Sequence, residues 1–226
     1  KDLEIQQAKE KFDKHQDINI YTKQIQDLEA KYKPDKLFVI DNQIIKIQFL
    51  TNHYYLPVIV SEAEKVSYIN HIIDVPSERK FINELEHYIK SPDNFFIAFD
   101  WWLFSKIDPY LDAVYIPYYH PEENRIARFI PDFIFWLQKG NDYTILFVDP
   151  KGTEHTSGLI KIDGYRKYFE DRENERPITF TQDGLKITVR LGLKTSSGLA
   201  SVPDVYRNYW FYDLAGLKRI LNDEHN

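Results

Sequence analysis

Two aspartates and a lysine interrupt the most apolar stretch of the chain, IARFIPDFIFWLQKGNDYTILFVDPKG, residues Ile126–Gly152. The stretch reads as two runs, Ala127–Leu137 and Tyr143–Val148, separated by the polar loop Gln138-Lys139-Gly140-Asn141-Asp142, which has hairpin length. Strands this apolar and aromatic suit burial on both faces, so the charges of Asp132, Asp149 and Lys151 need a reason. Folding the hairpin about Gly140 brings Asp132 opposite Val148 or Asp149. Facing strand residues have Cβ atoms about 4.5–5.5 Å apart, and two ionised carboxylates at that range repel. A hard divalent cation resolves the repulsion, because Mg²⁺ is held by one or two carboxylates together with waters and phosphate oxygens. Period-2 alternation sets Lys151 on the same strand face as Asp149, beside such a site. Two acids, a cation and a lysine form an arrangement that can cleave a phosphodiester.

Pro131-Asp132, an apolar strand, and then Asp149-Pro150-Lys151 resemble the PD-(D/E)XK nuclease signature. The wider context from Pro76-Ser77-Glu78-Arg79-Lys80-Phe81 to the tail is similar to the C-terminal endonuclease domain of the restriction subunit of type III restriction enzymes and related helicase-nuclease fusions. Pro-Asp occurs four times and acid-x-Lys three times, but one instance of each lies in apolar strand sequence, and those two strands are consecutive. Asp149 stands where the pattern more often has Glu, and Pro150 removes a ladder donor.

The resemblance implies a restriction-endonuclease-like core: α/β, a mixed central sheet flanked by helices, over residues 74–226. Residues 1–73 form an appendage of helices followed by a small β unit. It implies Mg²⁺ as cofactor and DNA as substrate, with Asp132, Asp149 and the Pro150 carbonyl as metal ligands and Lys151 at the water or the developing charge. The helix before the core sheet often lends an acid in that fold, which nominates Glu78. The helix and loop after the motif strand face DNA there, which nominates Lys161 and His155 as phosphate contacts. A helicase motor on the same polypeptide and a modification methyltransferase subunit are the implied partners. The rival is a catalytically inactive domain of the same shape that binds nucleic acid or a partner protein.

Composition sets the remaining bounds. With 43% hydrophobic and 15% aromatic residues the chain can fill a substantial core, and it contains no apolar run of about 18 residues to span a membrane. The absence of cysteine removes disulfides, thiolate metal sites and a cysteine nucleophile, which suits the cytoplasm. None of the seven histidines forms HExxH, and no glycine precedes a lysine as a P-loop needs. Methionine is missing even at residue 1, which leads us to expect a segment of a longer protein.

Along the chain, the charged stretch Lys1–Lys33 reads as one or two solvated helices, and Leu37–Val60 as a hairpin plus a third strand. Ser77–Ile89 reads as a helix with Ser77 as N-cap and a stripe of Phe81, Ile82, Leu85, Tyr88 and Ile89. Asn94–Lys106 is too aromatic for a surface, Asp112–Tyr119 reads as the first core strand, and Leu159–Asp171 as the following helix. Ile178–Leu193 reads as a strand pair, with Lys186 and Arg190 spaced to track phosphates, and Leu214–Leu221 as a terminal helix.

A net charge of −6 runs against phosphate binding, since each neutralised phosphate steepens the log–log salt dependence by about 0.9. The isolated chain should therefore bind duplex DNA weakly, the rest of its polypeptide supplying the grip. Fluorescence anisotropy across a salt series checks this, and tight binding with a slope implying six or more phosphate contacts would contradict it.

Overall fold

The computed structural model describes residues 75–109, 112–152, 155–171, 173–200 and 202–222, and the backbone of four short strands before them. The chain divides into two compact units, Lys1–Asp74 and Val75–Asn226. In the first, β1 (Lys36–Ile40), β2 (Gln43–Gln48), β3 (Val58–Ser61) and β4 (Ile72–Ile73) form a sheet in that order. β1 and β2 are the expected hairpin, with Ile40 opposite Gln43. The helices expected in Lys1–Lys33 lie outside the described residues.

The second unit is mixed α/β. Helix α1 (Pro76–Ile89) leads to a short 3-10 helix (Phe95–Ala98) and strand β5 (Trp101–Lys106). A hairpin follows, β6 (Ile116–His120) with β7 (Arg125–Phe129), as a two-stranded sheet of its own. The chain then returns through β8 (Phe133–Lys139) and β9 (Asp142–Gly152), crosses over by α2 (His155–Phe169), and makes a small ladder of β10 (Glu170–Asp171) with β11 (Arg176–Pro177). Strands β12 (Thr179–Gln182) and β13 (Leu185–Thr195) follow, then β14 (Trp210–Phe211) and the short helix α3 (Leu217–Asn222). The central sheet has the order β12-β13-β9-β8-β5, with β14 alongside β13. β5, β8 and β9 are antiparallel, while β13 runs parallel to β9, as a helical crossover requires.

Alternation along the strands builds two cores. On one face α1 lowers Phe81, Ile82 and Leu85 onto the sheet, with the Phe81 ring 5.1 Å from Phe133. The Phe96, Trp102, Phe104 and Phe135 rings continue this layer, with Phe96–Trp102 at 4.3 Å and Phe104–Phe135 at 5.2 Å. Each such ring stabilises the fold by about 1.5–3 kcal/mol. Trp102 is therefore a core residue, not a base-stacking platform, whereas Trp101 on the other side of the strand is half-exposed. The opposite face carries Phe147, Val189, Leu191 and Leu193 against Ile162 and Tyr165 of α2, with Trp210 beside them.

Three expectations change. The first strand of the central sheet is β5; 116–120 belongs to the inserted hairpin, and residues 112–115 are not strand. Trp102 and Phe104 supply the inward period that this position needs, whereas Pro117 breaks the segment expected there. Helix α1 is capped by Val75 without a side-chain hydrogen bond, because Pro76 opens the helix and its missing N–H needs no partner. The β8–β9 connection is a two-residue turn, with Lys139 opposite Asp142 and Gly140 at φ +57°, tied by Gly140 N–H donating to Asp100 Oδ2 at 2.6 Å.

The C-terminal segment is fastened by polar ties. Tyr209 Oη lies 2.8 and 2.7 Å from the two carboxylate oxygens of buried Glu170, and Arg219 donates to the Trp210 carbonyl at 2.8 Å. Burial pushes the Glu170 carboxyl above its ordinary range, while the Tyr209 hydroxyl and Arg166 pull it part-way back. Tyr209→Phe removes the largest of the groups that restrain it, so the folded-state value rises further. A raised folded value means stability present at acid pH and lost as pH climbs through it. Tyr209→Phe should thus be less stable than wild type by about 1–3 kcal/mol near neutrality and by less at pH near 4. Urea unfolding at both pH values measures this; a deficit that grows on acidification would contradict it.

Candidate active site

The acids are set by the β8–β9 ladder. Phe133 pairs with Val148 and Ile134 with Phe147, so Asp132, just before β8, and Asp149, just after Val148, flank the last rung at one end of the ladder. Asp132 sits in the bend after Pro131, where its carbonyl accepts from Ile107 N–H at 2.8 Å and ties the end of β5 to the start of β8. Both carboxylates are buried, Asp132 at 8% exposure and Asp149 at 5%. From α2, Lys161 Nζ reaches to 3.8 Å from Asp149 Oδ2 and lies 4.6 Å from the centre of the Phe129 ring. Lys161, expected as a phosphate contact, thus leans on the acid pair.

Pro150 is buried within β9, and the β9–β13 register shifts between Leu193 and Thr195, where a residue without an N–H cannot complete the ladder. This irregularity follows Asp149 directly. The backbone of Lys151 continues β9, and His155 opens α2; their side chains lie outside the described residues.

Glu78 occupies the same end of the sheet but the α1 face. It is 1% exposed and forms an ion pair and hydrogen bond with Lys106, the last residue of β5, which shares the inward face of Trp102 and Phe104. Lys106 Nζ also lies 5.7 Å from the Phe133 ring centre, next in sequence to Asp132. A second sheet lysine, Lys194, is 7% exposed and meets Glu84 of α1 at 3.0 Å. Among the described residues no three His, Asp or Glu side chains come together as a metal-binding group, so Glu78 is not gathered with the two aspartates as expected. Its carboxylate is drawn to Lys106 instead.

On β13, Lys186 is exposed, but Arg190 is buried at 9% and donates to the Ile220 carbonyl at 3.1 Å. Of the two, only Lys186 keeps its side chain in solvent, where a phosphate backbone could meet it. Sequence reasoning missed Lys106; it also read Lys194 as a phosphate-tracking cation beside Lys186 and Arg190, whereas Lys194 pairs with Glu84. Their signal was a lysine at the inward parity of a buried strand.

A buried ion pair is costly to break from one side, by about 3–5 kcal/mol, and nearly neutral to replace from both. Lys106→Met should destabilise the chain by about 3 kcal/mol, and adding Glu78→Leu should restore most of that loss. A urea double-mutant cycle measures it, and additive losses would contradict the pairing.

Among the described residues no helix is long and apolar enough to cross a membrane. No curated protein and no solved structure matches the chain. Residues 69–195, more than half the chain and a span that includes Glu78, Asp132 and Asp149, match the YagJ family, and the protein belongs to that family.

Proposed function

We propose that Val75–Asn226 is a Mg²⁺-dependent endonuclease domain with a restriction-endonuclease-like core, hydrolysing DNA phosphodiester bonds. The observation that carries this reading is the burial of two carboxylates, Asp132 and Asp149, beside the last rung of the β8–β9 ladder. An all-oxygen donor set of two carboxylates suits a hard cation that keeps several waters. Asp132, Asp149 and the Pro150 carbonyl would hold it. The ion, when bound, supplies an acidified water and neutralises charge at the scissile phosphate.

The chain's own residues do the rest. Lys151, two residues beyond Asp149, orients the attacking water or meets the charge that develops on the phosphoryl oxygens. Lys161 balances Asp149 from α2. Glu78 and Lys106 fasten the N-terminal turn of α1 to the end of β5, and through Ile107 that strand end holds the Asp132 backbone. Glu78 acts as a positioning residue in this reading, not as a metal ligand. We place the domain in the cytoplasm, within a restriction enzyme of type III or a related helicase-nuclease whose motor lies elsewhere on the polypeptide and which works with a methyltransferase subunit. The inactive-domain reading draws on the same Lys161–Asp149 contact, since a lysine can settle an acid pair that binds no metal.

Nicking of supercoiled plasmid in Mg²⁺ separates the two. Asp149→Ala should lower the rate by at least about 10²-fold, and Lys151→Ala by a similar factor without weakening Mg²⁺ binding. Asp149→Ala should melt within a few degrees of wild type in EDTA, because the repulsion it relieves offsets the Lys161 contact it removes. Wild-type protein that nicks no DNA, or Asp149→Ala that nicks at the wild-type rate, would leave the inactive-domain reading standing.

A further inference from the structure

Close packing fixes helix α2 on both sides of Lys161. One turn before it, a Cβ on Gly158 would lie 2.7 Å from the Trp210 ring. One turn after it, a Cβ on Gly164 would lie 2.5 Å from Tyr118 Cβ and 2.7 Å from the Pro117 carbonyl oxygen. The backbone of Lys161 is thus held in place, while its ammonium sits between two attractive groups. Nζ lies 3.8 Å from Asp149 Oδ2 and 4.6 Å from the centre of the buried Phe129 ring. The first distance exceeds the hydrogen-bond range of about 2.7–3.2 Å, so that contact is Coulombic and sets no direction. The second is a cation–π contact, which the ring offers whether or not the carboxylate is engaged.

We infer that Lys161 is a built-in competitor for the cation site: its ammonium neutralises Asp149 in the metal-free protein and yields that carboxylate to a divalent cation, withdrawing to Phe129. The inference rests on the metal reading of the two aspartates and adds what sets the affinity of that site. Charge supplies the first argument. Asp149 continues β9 at the parity of Phe147, which packs toward α2, and a carboxylate this buried draws a counter-charge. Lys161 supplies one unit of it. A divalent cation supplies two, and cations that share one carboxylate repel each other. Cation binding and the Lys161–Asp149 contact therefore weaken one another, and linkage makes the two effects equal.

Mobility supplies the second. A lysine carries its ammonium on a flexible four-carbon stem, so the charge can shift while the helix stays where it is. The Lys161 side chain keeps 28% of its surface in contact with solvent, and leaving Asp149 does not leave it without a partner, because Phe129 remains. Lys194 shows the tight arrangement by contrast, 7% exposed and 3.0 Å from Glu84.

Titration calorimetry of Mg²⁺ into the full chain, without DNA, reads the competition apart from cleavage. Lys161→Met keeps the stem beside Phe129 and removes the charge, and it should bind Mg²⁺ at least about fivefold more tightly than wild type. Lys161→Arg, which keeps the charge, should gain far less. In EDTA, Lys161→Met should melt about 2–4 °C below wild type, and the same substitution should cost little in the Asp149→Ala background. The two signs separate a competitor from a structural prop, whose loss leaves Mg²⁺ affinity unchanged or lower. Wild type that binds Mg²⁺ as tightly as Lys161→Met, or more tightly, would overturn the inference and leave the metal reading standing. A Tm in EDTA that Lys161→Met does not lower would overturn it as well. Binding by Lys161→Met where wild type binds none would support the inference and count against an active wild type. No Mg²⁺ binding by either protein would overturn the inference and the metal reading together.

Discussion

The register of the β8–β9 ladder is the constraint on which the rest of this unit depends. It is fixed at one end by a two-residue turn whose first position, Gly140, takes φ +57°, and along its length by Phe133, Phe135 and Leu137 facing α1. A slip of one residue would turn every side chain to the opposite face and drive those rings toward α2. The same register sets Asp132 and Asp149 beside its last rung, at one end of the ladder. The repulsion between the two acids is thus imposed by the packing of aromatic rings several residues away, and the hydrophobic layer is large enough to carry it.

Charge at this end of the sheet is handled helix by helix. From one side α1 brings Glu78 and Glu84 to Lys106 and Lys194, and from the other α2 brings Lys161 to Asp149. Buried ion pairs seldom add net stability, since desolvation offsets most of the Coulomb gain. Their effect is orientation. A lysine drawn to each carboxylate holds the helix ends at one setting relative to the strand ends, and that setting is what a site built from several elements requires.

That Asp132 and Asp149 come to one end of a β-hairpin was legible in the sequence because alternation and a single glycine loop are local signals. The length of that loop was not. Gln138, Lys139 and Asp142 are polar and read as turn, yet they stay in the ladder because its end lies at the sheet rim, where their side chains reach solvent. WWLFSK and the stretch before His120 both suited the first core strand, and the choice rests on pairing with β8 some thirty residues away, which no local pattern encodes. Arg190 read as a surface cation because the residues that cover it, on the C-terminal helix α3, are equally remote. Glu78 was found at its helix stripe, while its partner Lys106 depended on that same strand assignment.

The central claim is that Asp132 and Asp149 together bind a divalent cation. Calorimetric melting in EDTA and in Mg²⁺ tests it without reference to catalysis. At Mg²⁺ about 100-fold above its Kd, binding to the native state alone adds roughly 2.7 kcal/mol, or about 5–10 °C in Tm for a unit of this size. Wild type should show that rise, and a variant carrying Asp132→Asn and Asp149→Asn should lose it. An unchanged Tm for wild type, or the same rise in the double variant, would contradict the account.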